Sequence, residues 1–117
     1  MERKLTIGTE KYTQVFADDE KEFNANHSYT VRTVKVPNTI LSHVCFQKGP
    51  IKECGVNGVN NEDLLAMVLD RLQSFQESDF KCRENAIAIT KLEEALLWLR
   101  KRTMDREARG VEGTHAV

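Results

Sequence analysis

The stretch that decides the fold is NEDLLAMVLDRLQSFQESDFKCRENAIAITKLEEALLWLRKRTMDREAR, residues 61–109. It contains two apolar patterns with helical spacing, joined by the polar connection ESDFKCRE. The first pattern predicts a helix over residues 61–76, because apolar residues recur every three or four positions. Asn60 is a suitable N-cap, and Asp63 lies where a capping box places its acidic residue. The apolar stripe consists of Leu64, Leu65, Met67, Val68, Leu72 and Phe75.

The second pattern predicts a longer helix that begins at Glu84 or Asn85 and ends at Arg109. A heptad-like seam runs along it, and the small residues Ala88 and Ala95 beside the seam allow close approach by another helix. At 1.5 Å per residue, the second helix is about 39 Å long and the first about 24 Å long. The last, basic residues of the second helix therefore extend beyond the first. The seam consists of Ile89, Leu92, Leu96 and Leu99.

The residues before Gly55 have the composition of β-strands rather than helices. Their short runs are rich in β-branched and aromatic residues, and the turn signal at Pro37 and Asn38 joins the last two runs into an expected hairpin. We expect a loop in the acidic segment 18–27 and an extended segment over residues 51–56. The predicted strands are residues 4–8, 12–16, 29–36 and 40–47.

These patterns predict an α+β fold, with a small N-terminal antiparallel β-sheet followed by a long C-terminal antiparallel helical hairpin. The predicted parts are a β-rich region over residues 1–56, the helical hairpin over residues 57–110 and a C-terminal tail over residues 111–117. A chain of 117 residues is long enough for one small domain but buries a limited core, so assembly into oligomers would stabilise it.

Composition excludes several classes of function. The net charge of −1 argues against a protein that coats a nucleic-acid polymer, which needs a basic surface. The three cysteines, Cys45, Cys54 and Cys82, have neither disulfide-framework nor zinc-site spacing. The segment MERKLTIGTE has no apolar run, so we expect no signal peptide, and no window of the sequence is apolar enough to suggest a membrane span. We therefore expect a reduced, cytoplasmic protein that acts without a membrane.

A search for catalytic residues points away from an enzyme. His43 and Cys45 share one face of a predicted strand, but we interpret this pair as core packing rather than as a thiol nucleophile with its base. Carboxylates and histidines lack the spacing of metal ligands. We expect no catalytic residues, no metal ligands and no cofactor.

Anion binding has more support. Five basic residues crowd the end of the second helix, where some positive charge suits the helix dipole. The cluster therefore has three open interpretations: a solvated helix end, a phosphate site and a subunit interface. The loop GVNGVNNED, residues 55–63, offers backbone amides to an anion, and it is also an ordinary loop with an N-cap. The basic cluster consists of Arg100, Lys101, Arg102, Arg106 and Arg109.

The segment RENAIAITKLEEALLWLRKRT, residues 83–103, resembles the second helix of the hairpin domain in small phage anti-defence proteins. These proteins are sponges that sequester nucleotide second messengers of the CBASS and Thoeris systems. Their helix follows the pattern A-x-T-x-L-x-x-A/G-L/M and ends in basic residues. The segment NEDLLAMVLDRLQSF fits the first helix of that hairpin. The matching residues here are Ala88, Thr90, Leu92, Ala95 and Leu96, followed by Arg100 and Arg102.

The resemblance implies that the chain binds a cyclic di- or trinucleotide, or a cyclic ADP-ribose, without cleaving it. It also implies a homo-oligomer built from dimers, often a hexamer, with pockets between subunits, acting in the host cytoplasm. Arginines would hold the phosphates, and Tyr29, Phe46 or Trp98 would stack on a base. The expected ligand-binding residues are Asn57, Asn60, Arg71, Arg83, Arg102, Arg106 and Arg109.

Three alternatives remain open. A protein-binding inhibitor or assembly factor would use the hairpin as its interaction surface and would have no affinity for nucleotides. A small hydrolase of modified nucleotides would show metal-dependent turnover. A nucleic-acid binder would lose affinity steeply with salt.

Overall fold

A computed structural model describes residues 2–117 of the chain, which form two compact units, residues 2–59 and Asn60–Val117. The first unit contains a four-stranded antiparallel sheet and one short helix. The second contains two long helices. The predicted α+β fold, with the sheet before the helical hairpin, is therefore confirmed.

The sheet has its strands in the order of the sequence, each antiparallel to the next. The first strand overlaps its predicted range only at Lys4, the second is shifted by one residue, and the last two end earlier than predicted but form the expected hairpin. Its register shifts between Val31 and Arg32. The strands are β1 (Arg3–Lys4), β2 (Thr13–Ala17), β3 (Ser28–Thr33) and β4 (Ile40–Cys45).

Alternation along the strands gives the sheet two different faces. One face carries Val15, Ala17 and Val31, and Ala17 is fully buried. Tyr29 lies on the same face, with its ring 5.7 Å from that of Phe46 in an edge-to-face pair. This face is the apolar side of the unit, whereas the opposite face, called the polar face below, carries Thr30, Arg32 and His43 beside Phe16.

The predicted loop between β2 and β3 is organised around one carboxylate. Asp19 accepts hydrogen bonds from the backbone amides of His27 (3.0 Å) and Ser28 (3.3 Å) and from the side-chain amide of Asn26 (3.3 Å). Partial burial raises the pKa of Asp19, but these hydrogen bonds outweigh burial and hold its pKa below the ordinary value of 3.8. The ionised carboxylate therefore fixes the path of the chain into β3.

The prediction of an extended segment over residues 51–56 is wrong, because a one-turn helix, α1 (Ile51–Cys54), forms there. Pro50 has a φ of −64°, which suits a helix start. Gly55, with a φ of 74°, ends the turn by donating its amide hydrogen to the carbonyl of Ile51 at 2.8 Å. A proline and a glycine with four residues between them thus enclose the turn.

The two long helices are α2 (Asn61–Gln76) and α3 (Arg83–Ala108). The bounds of α2 are those predicted, and Asp63 accepts the Asn60 amide hydrogen at 2.8 Å, as in the predicted capping box. α3 begins one or two residues earlier than predicted and ends one residue earlier, and the Cys82 sulfur caps its start by accepting the Asn85 amide hydrogen. The helices pack against each other.

The hairpin has little interior of its own. No residue of α2 or α3 is buried, and the structure describes every residue of both helices. Leu97 and Trp98 are 69% and 68% exposed, and Met67 is 61% exposed. A single hairpin therefore leaves much of its apolar surface in water.

Candidate ligand-binding site

A cavity of about 480 Å³ lies at the end of the hairpin where α2 meets the connection to α3. This volume is within the range of about 300–1,000 Å³ that small-molecule sites occupy. Two aromatic rings, one cation and one carboxylate line the cavity together with two serines. The lining residues are Asp70, Arg71, Ser74, Phe75, Ser78 and Phe80.

The rings and the cation give the cavity its chemistry. The guanidinium carbon of Arg71 lies 5.2 Å from the centre of the Phe75 ring, so the two side chains stack. Phe80 is 78% exposed, although phenylalanine side chains are usually buried. A flat aromatic or heterocyclic group could therefore stack on either ring, with Arg71 beside it to bind an anion.

The serines of the cavity shape its wall. Ser78 donates its hydroxyl hydrogen to the Phe75 carbonyl at 2.6 Å and accepts the Phe80 amide hydrogen at 3.1 Å. Ser74 donates to the Asp70 carbonyl at 3.1 Å. Because these hydroxyl hydrogens are used by the backbone, Arg71 and Asp70 are the main polar groups left for a ligand.

The basic cluster lies at the other end of α3. Arg102, Arg106 and Arg109 recur at intervals of four and three, which places them on one face of the helix. Arg102 is exposed and has no hydrogen-bond or ion-pair partner among residues 2–117. Its guanidinium is therefore available to a phosphate or to another subunit.

The other two arginines of that face hold the C-terminal tail. One guanidinium nitrogen of Arg106 donates to the carbonyls of Val111 (3.1 Å), Thr114 (3.2 Å) and Ala116 (2.7 Å). Arg109 donates to the carbonyl of Val117. The tail is thus bound to the helix end, and its carbonyl oxygens occupy donors that the sequence analysis assigned to a ligand.

The two asparagines of the expected site have local structural partners. Asn57 accepts the Lys48 amide hydrogen and donates to the Lys48 carbonyl, both at 2.8 Å. The backbone amide of Asn60 is occupied by Asp63. The carboxylate of Asp63 therefore supplies the negative charge that the start of α2 favours.

One hairpin does not bring all the expected arginines together. Arg71 and Arg83 lie towards the connection, whereas Arg102 lies nineteen residues after Arg83 in the same helix. At 1.5 Å per residue, that separation is about 28 Å along the axis. A single small ligand cannot contact both groups within one copy of the hairpin.

Phe75 and Phe80 line the cavity but were not among the residues expected from the sequence to bind a ligand. Phe75 was interpreted as part of an apolar stripe, although the end of that stripe lies beside the connection. Phe80 was the clearer signal, since it is a lone aromatic residue in a polar segment. Of the rings proposed to stack on a base, Trp98 is exposed, whereas Tyr29 and Phe46 already pack against each other.

Residues 2–117 contain neither a metal-binding group nor a membrane-spanning helix. No group of three or more His, Cys, Asp or Glu side chains is arranged to hold a metal ion there. No helix in that part of the chain has the length and apolar character needed to cross a membrane.

Comparison with known proteins agrees with the resemblance seen in the helices. A family model described as "Acb2/Tad1, hairpin domain" matches residues 40–104, which is more than half of the chain. The chain is also similar to "Thoeris anti-defense 1" from Bacillus phage SBSphiJ7, with 52% identity over 129 aligned residues. That alignment covers 90% of this chain and 91% of the relative. The similarity therefore includes the sheet unit as well as the hairpin.

Proposed function

Because the chain belongs to the Acb2/Tad1 hairpin-domain family of phage anti-defence proteins, we propose that it binds a cyclic nucleotide or a cyclic ADP-ribose and sequesters it uncleaved. The molecule would be a second messenger of a host immune system, and the protein would act in the host cytoplasm. The name of the relative makes the Thoeris system the first to test.

The observation that carries this proposal is the stack of Arg71 on Phe75 at an open surface cavity of about 480 Å³, with Phe80 exposed beside it. A nucleotide combines a flat base with phosphates, so it needs an aromatic surface and a cation close together. Stacking of one base on an aromatic ring stabilises binding by about 1–3 kcal/mol. In this site the rings would bind the base, and Arg71 and Arg83 would bind the phosphates.

A complete site would need a second copy of the chain. Two hairpins that run in opposite directions would place Arg102 of one copy near the cavity of the other. The distance of about 28 Å between Arg83 and Arg102 within one copy would then not prevent both from contacting one ligand. The exposed residues Leu97 and Trp98 would give the copies an apolar surface to bury. We therefore propose a homo-oligomer with ligand sites between subunits, in which Arg102 completes the phosphate contacts.

The remaining expected residues would contribute less directly. Arg106 and Arg109 would hold the tail near the ligand, since their donors contact tail carbonyls. Asn57 and Asn60 would stabilise the loop before α2 rather than bind the ligand by their side chains.

Thermal unfolding with a panel of ligands tests the proposal. The panel contains cyclic ADP-ribose isomers and cyclic di- and trinucleotides, with linear ADP-ribose and AMP as matched controls. At 100 times its dissociation constant, a true ligand adds about 2.7 kcal/mol to the free energy of unfolding. We expect a rise in the unfolding temperature with a cyclic ligand, which is then recovered intact. Absence of a shift with every cyclic compound, or recovery of a cleaved product, would contradict the proposal.

The exposed apolar surface of the hairpin favours one other function, a protein-binding inhibitor. That surface would then bind a host or phage protein instead of a second copy. A monomeric chain with no affinity for any member of the panel would favour this alternative.

A further inference from the structure

Four side chains on the polar face of the sheet form a continuous chain of polar contacts. The Thr30 hydroxyl donates to a carboxylate oxygen of Asp18 and lies 3.1 Å from Nδ1 of His43. That carboxylate oxygen is also 3.5 Å from Nδ1 of His43. On the other side of the ring, Nε2 of His43 lies 3.4 Å from the sulfur of Cys45. The order of contacts is therefore carboxylate, hydroxyl, imidazole and thiol.

The pairing of the strands produces this arrangement. Thr30 of β3 lies opposite His43 of β4, and Cys45 follows two residues later on the same face of β4. Asp18 directly follows β2. The interpretation of His43 and Cys45 as core packing is wrong, because His43 has a side chain that is 52% exposed and Cys45 is exposed as well.

The contacts of Thr30 determine which ring nitrogen of His43 carries a hydrogen. The other nitrogen then presents its lone pair to the Cys45 thiol. A threonine hydroxyl has one hydrogen, and Thr30 donates it to Asp18. The contact of Thr30 with Nδ1 then requires Nδ1 to carry the hydrogen of the neutral ring. Nε2 is left as an acceptor, 3.4 Å from the Cys45 sulfur. Asp18 and Thr30 are thus positioning residues that turn the basic nitrogen of His43 towards Cys45.

The other two cysteines provide references within the same chain, since both are exposed. Cys82 caps the start of α3, where its sulfur already accepts the Asn85 amide hydrogen. Cys54 ends the one-turn helix α1, and no histidine contact to its sulfur is found among residues 2–117. Cys54 is therefore the better reference for an ordinary exposed thiol.

We propose that Cys45 is a nucleophilic thiol with His43 as its base, and that it is a site of modification by low-molecular-weight disulfides. Nε2 of His43 takes the thiol proton, and the thiolate attacks one sulfur of the disulfide. The reagent's sulfur–sulfur bond breaks as a new one forms with Cys45. The departing thiolate takes up a proton and leaves as a free thiol, so the exchange needs no other oxidant.

The first test is the rate of alkylation by iodoacetamide at neutral pH, followed for each cysteine by peptide mass spectrometry. If His43 acts as the base, Cys45 reacts at least about tenfold faster than Cys54. In His43→Gln, the rate at Cys45 falls to that of Cys54. His27→Gln is the matched control, because it removes a histidine outside this chain of contacts and leaves the rate unchanged.

The second test is exchange with oxidised glutathione. The expected result is a mixed disulfide at Cys45 with one reduced glutathione released, and Cys45→Ser forms no adduct at that position. The roles of Asp18 and Thr30 are read from the ¹⁵N shifts of His43, which should report the Nδ1–H form in the parent chain and a shift towards the Nε2–H form in Asp18→Asn.

Three results would overturn the proposal. They are equal alkylation rates at Cys45 and Cys54 in the parent chain, an unchanged rate in His43→Gln, and an Nε2–H form of His43 before any substitution. Because His43 is exposed, its replacement is expected to leave the fold intact, which circular dichroism checks. Nucleotide binding is not needed for any of these outcomes.

Discussion

In the sheet unit, Arg32 and Asp19 have partners within the unit, whereas in the hairpin unit Trp98 and Arg102 face outward. Arg32 binds Glu2 with two hydrogen bonds of 2.6 and 3.1 Å and lies over the Phe16 ring, and Asp19 holds a loop. By contrast, Trp98 and Arg102 of the hairpin are exposed. Both units expose apolar residues, among them Val36 at 80% and Leu97 at 69%, so the contrast lies in the paired polar groups of the sheet unit and in Arg102, which has no partner among residues 2–117.

We propose that the sheet unit contributes mainly to stability and the outer surface of the hairpin mainly to function. Substitutions in the sheet unit should change the free energy of unfolding, whereas those on the outer surface of the hairpin should change association and ligand binding. Four substitutions test this difference between the two units: Trp98→Ala, Arg102→Ala, Gly58→Ala and Asp19→Asn.

The largest effect is expected from Trp98→Ala, because exposed aromatic residues often dominate interfaces. Loss of a central tryptophan costs about 2–4 kcal/mol of association free energy. Sedimentation velocity over a range of concentrations would measure this as a shift towards smaller species. Lys91→Ala is the control, since Lys91 is a 72% exposed residue of the same helix that pairs with Glu94. If Trp98→Ala leaves the assembly unchanged, the outer surface of the hairpin is not the interface.

Arg102→Ala should weaken ligand binding without changing the unfolding temperature of the free protein. Loss of a hydrogen-bonding charged partner costs about 1.5–3 kcal/mol, or about 10- to 100-fold in Kd. Isothermal titration calorimetry with the ligand found in the panel measures the change. Arg102→Lys keeps the charge but lacks the planar fork, so its affinity should be intermediate. Unchanged affinity in Arg102→Ala would remove this residue from the site.

Gly58→Ala should destabilise the sheet unit because the backbone leaves no space for a side chain. A Cβ atom at this position would lie 2.4 Å from the carbonyl carbon of Phe46. Relieving such overlap costs about 1–3 kcal/mol. Urea unfolding would measure the loss, and Val56→Ala, at a residue that is 79% exposed, should stay close to the parent. A variant as stable as the parent would contradict this packing.

The smallest effect is expected from Asp19→Asn, which keeps the shape of the side chain and removes its charge. The folded pKa of Asp19 lies below its ordinary value, so the ionised form stabilises the fold above the unfolded pKa. This contribution is lost as the pH falls below about 4. We expect the unfolding temperature of the parent to fall between about pH 5 and pH 3, and that of Asp19→Asn to fall less. Equal acid sensitivity of the two proteins would contradict the assigned role.

Sequence patterns predicted the regular parts of this fold well because their causes are local. The apolar spacing and the Asn60–Asp63 cap defined α2 at both ends, and alternation identified the β3–β4 hairpin. The one-turn helix at Ile51–Cys54 was missed, since four residues are too few to show a helical period. The cavity at Phe75 and Phe80 was missed because it depends on how the connection folds back.

The tail and the polar face of the sheet show a second limit of sequence patterns. Nothing local indicates that Arg106 donates to carbonyls five to ten residues later, although both partners are close in sequence. The contacts of His43 with Thr30 and Asp18 depend on strand pairing, so they become visible only once the register is known.

Native mass spectrometry of the chain with a cyclic ADP-ribose isomer, and then with a cyclic dinucleotide and a cyclic trinucleotide, tests the central claim most directly. It reports the number of copies, the number of ligands and the mass of each ligand in one spectrum. We predict an assembly of two or more copies that carries at least one ligand of unchanged mass. Two results would contradict this prediction: a monomer that carries no ligand in any of the three samples, or a complex in which the bound ligand has the mass of a cleavage product.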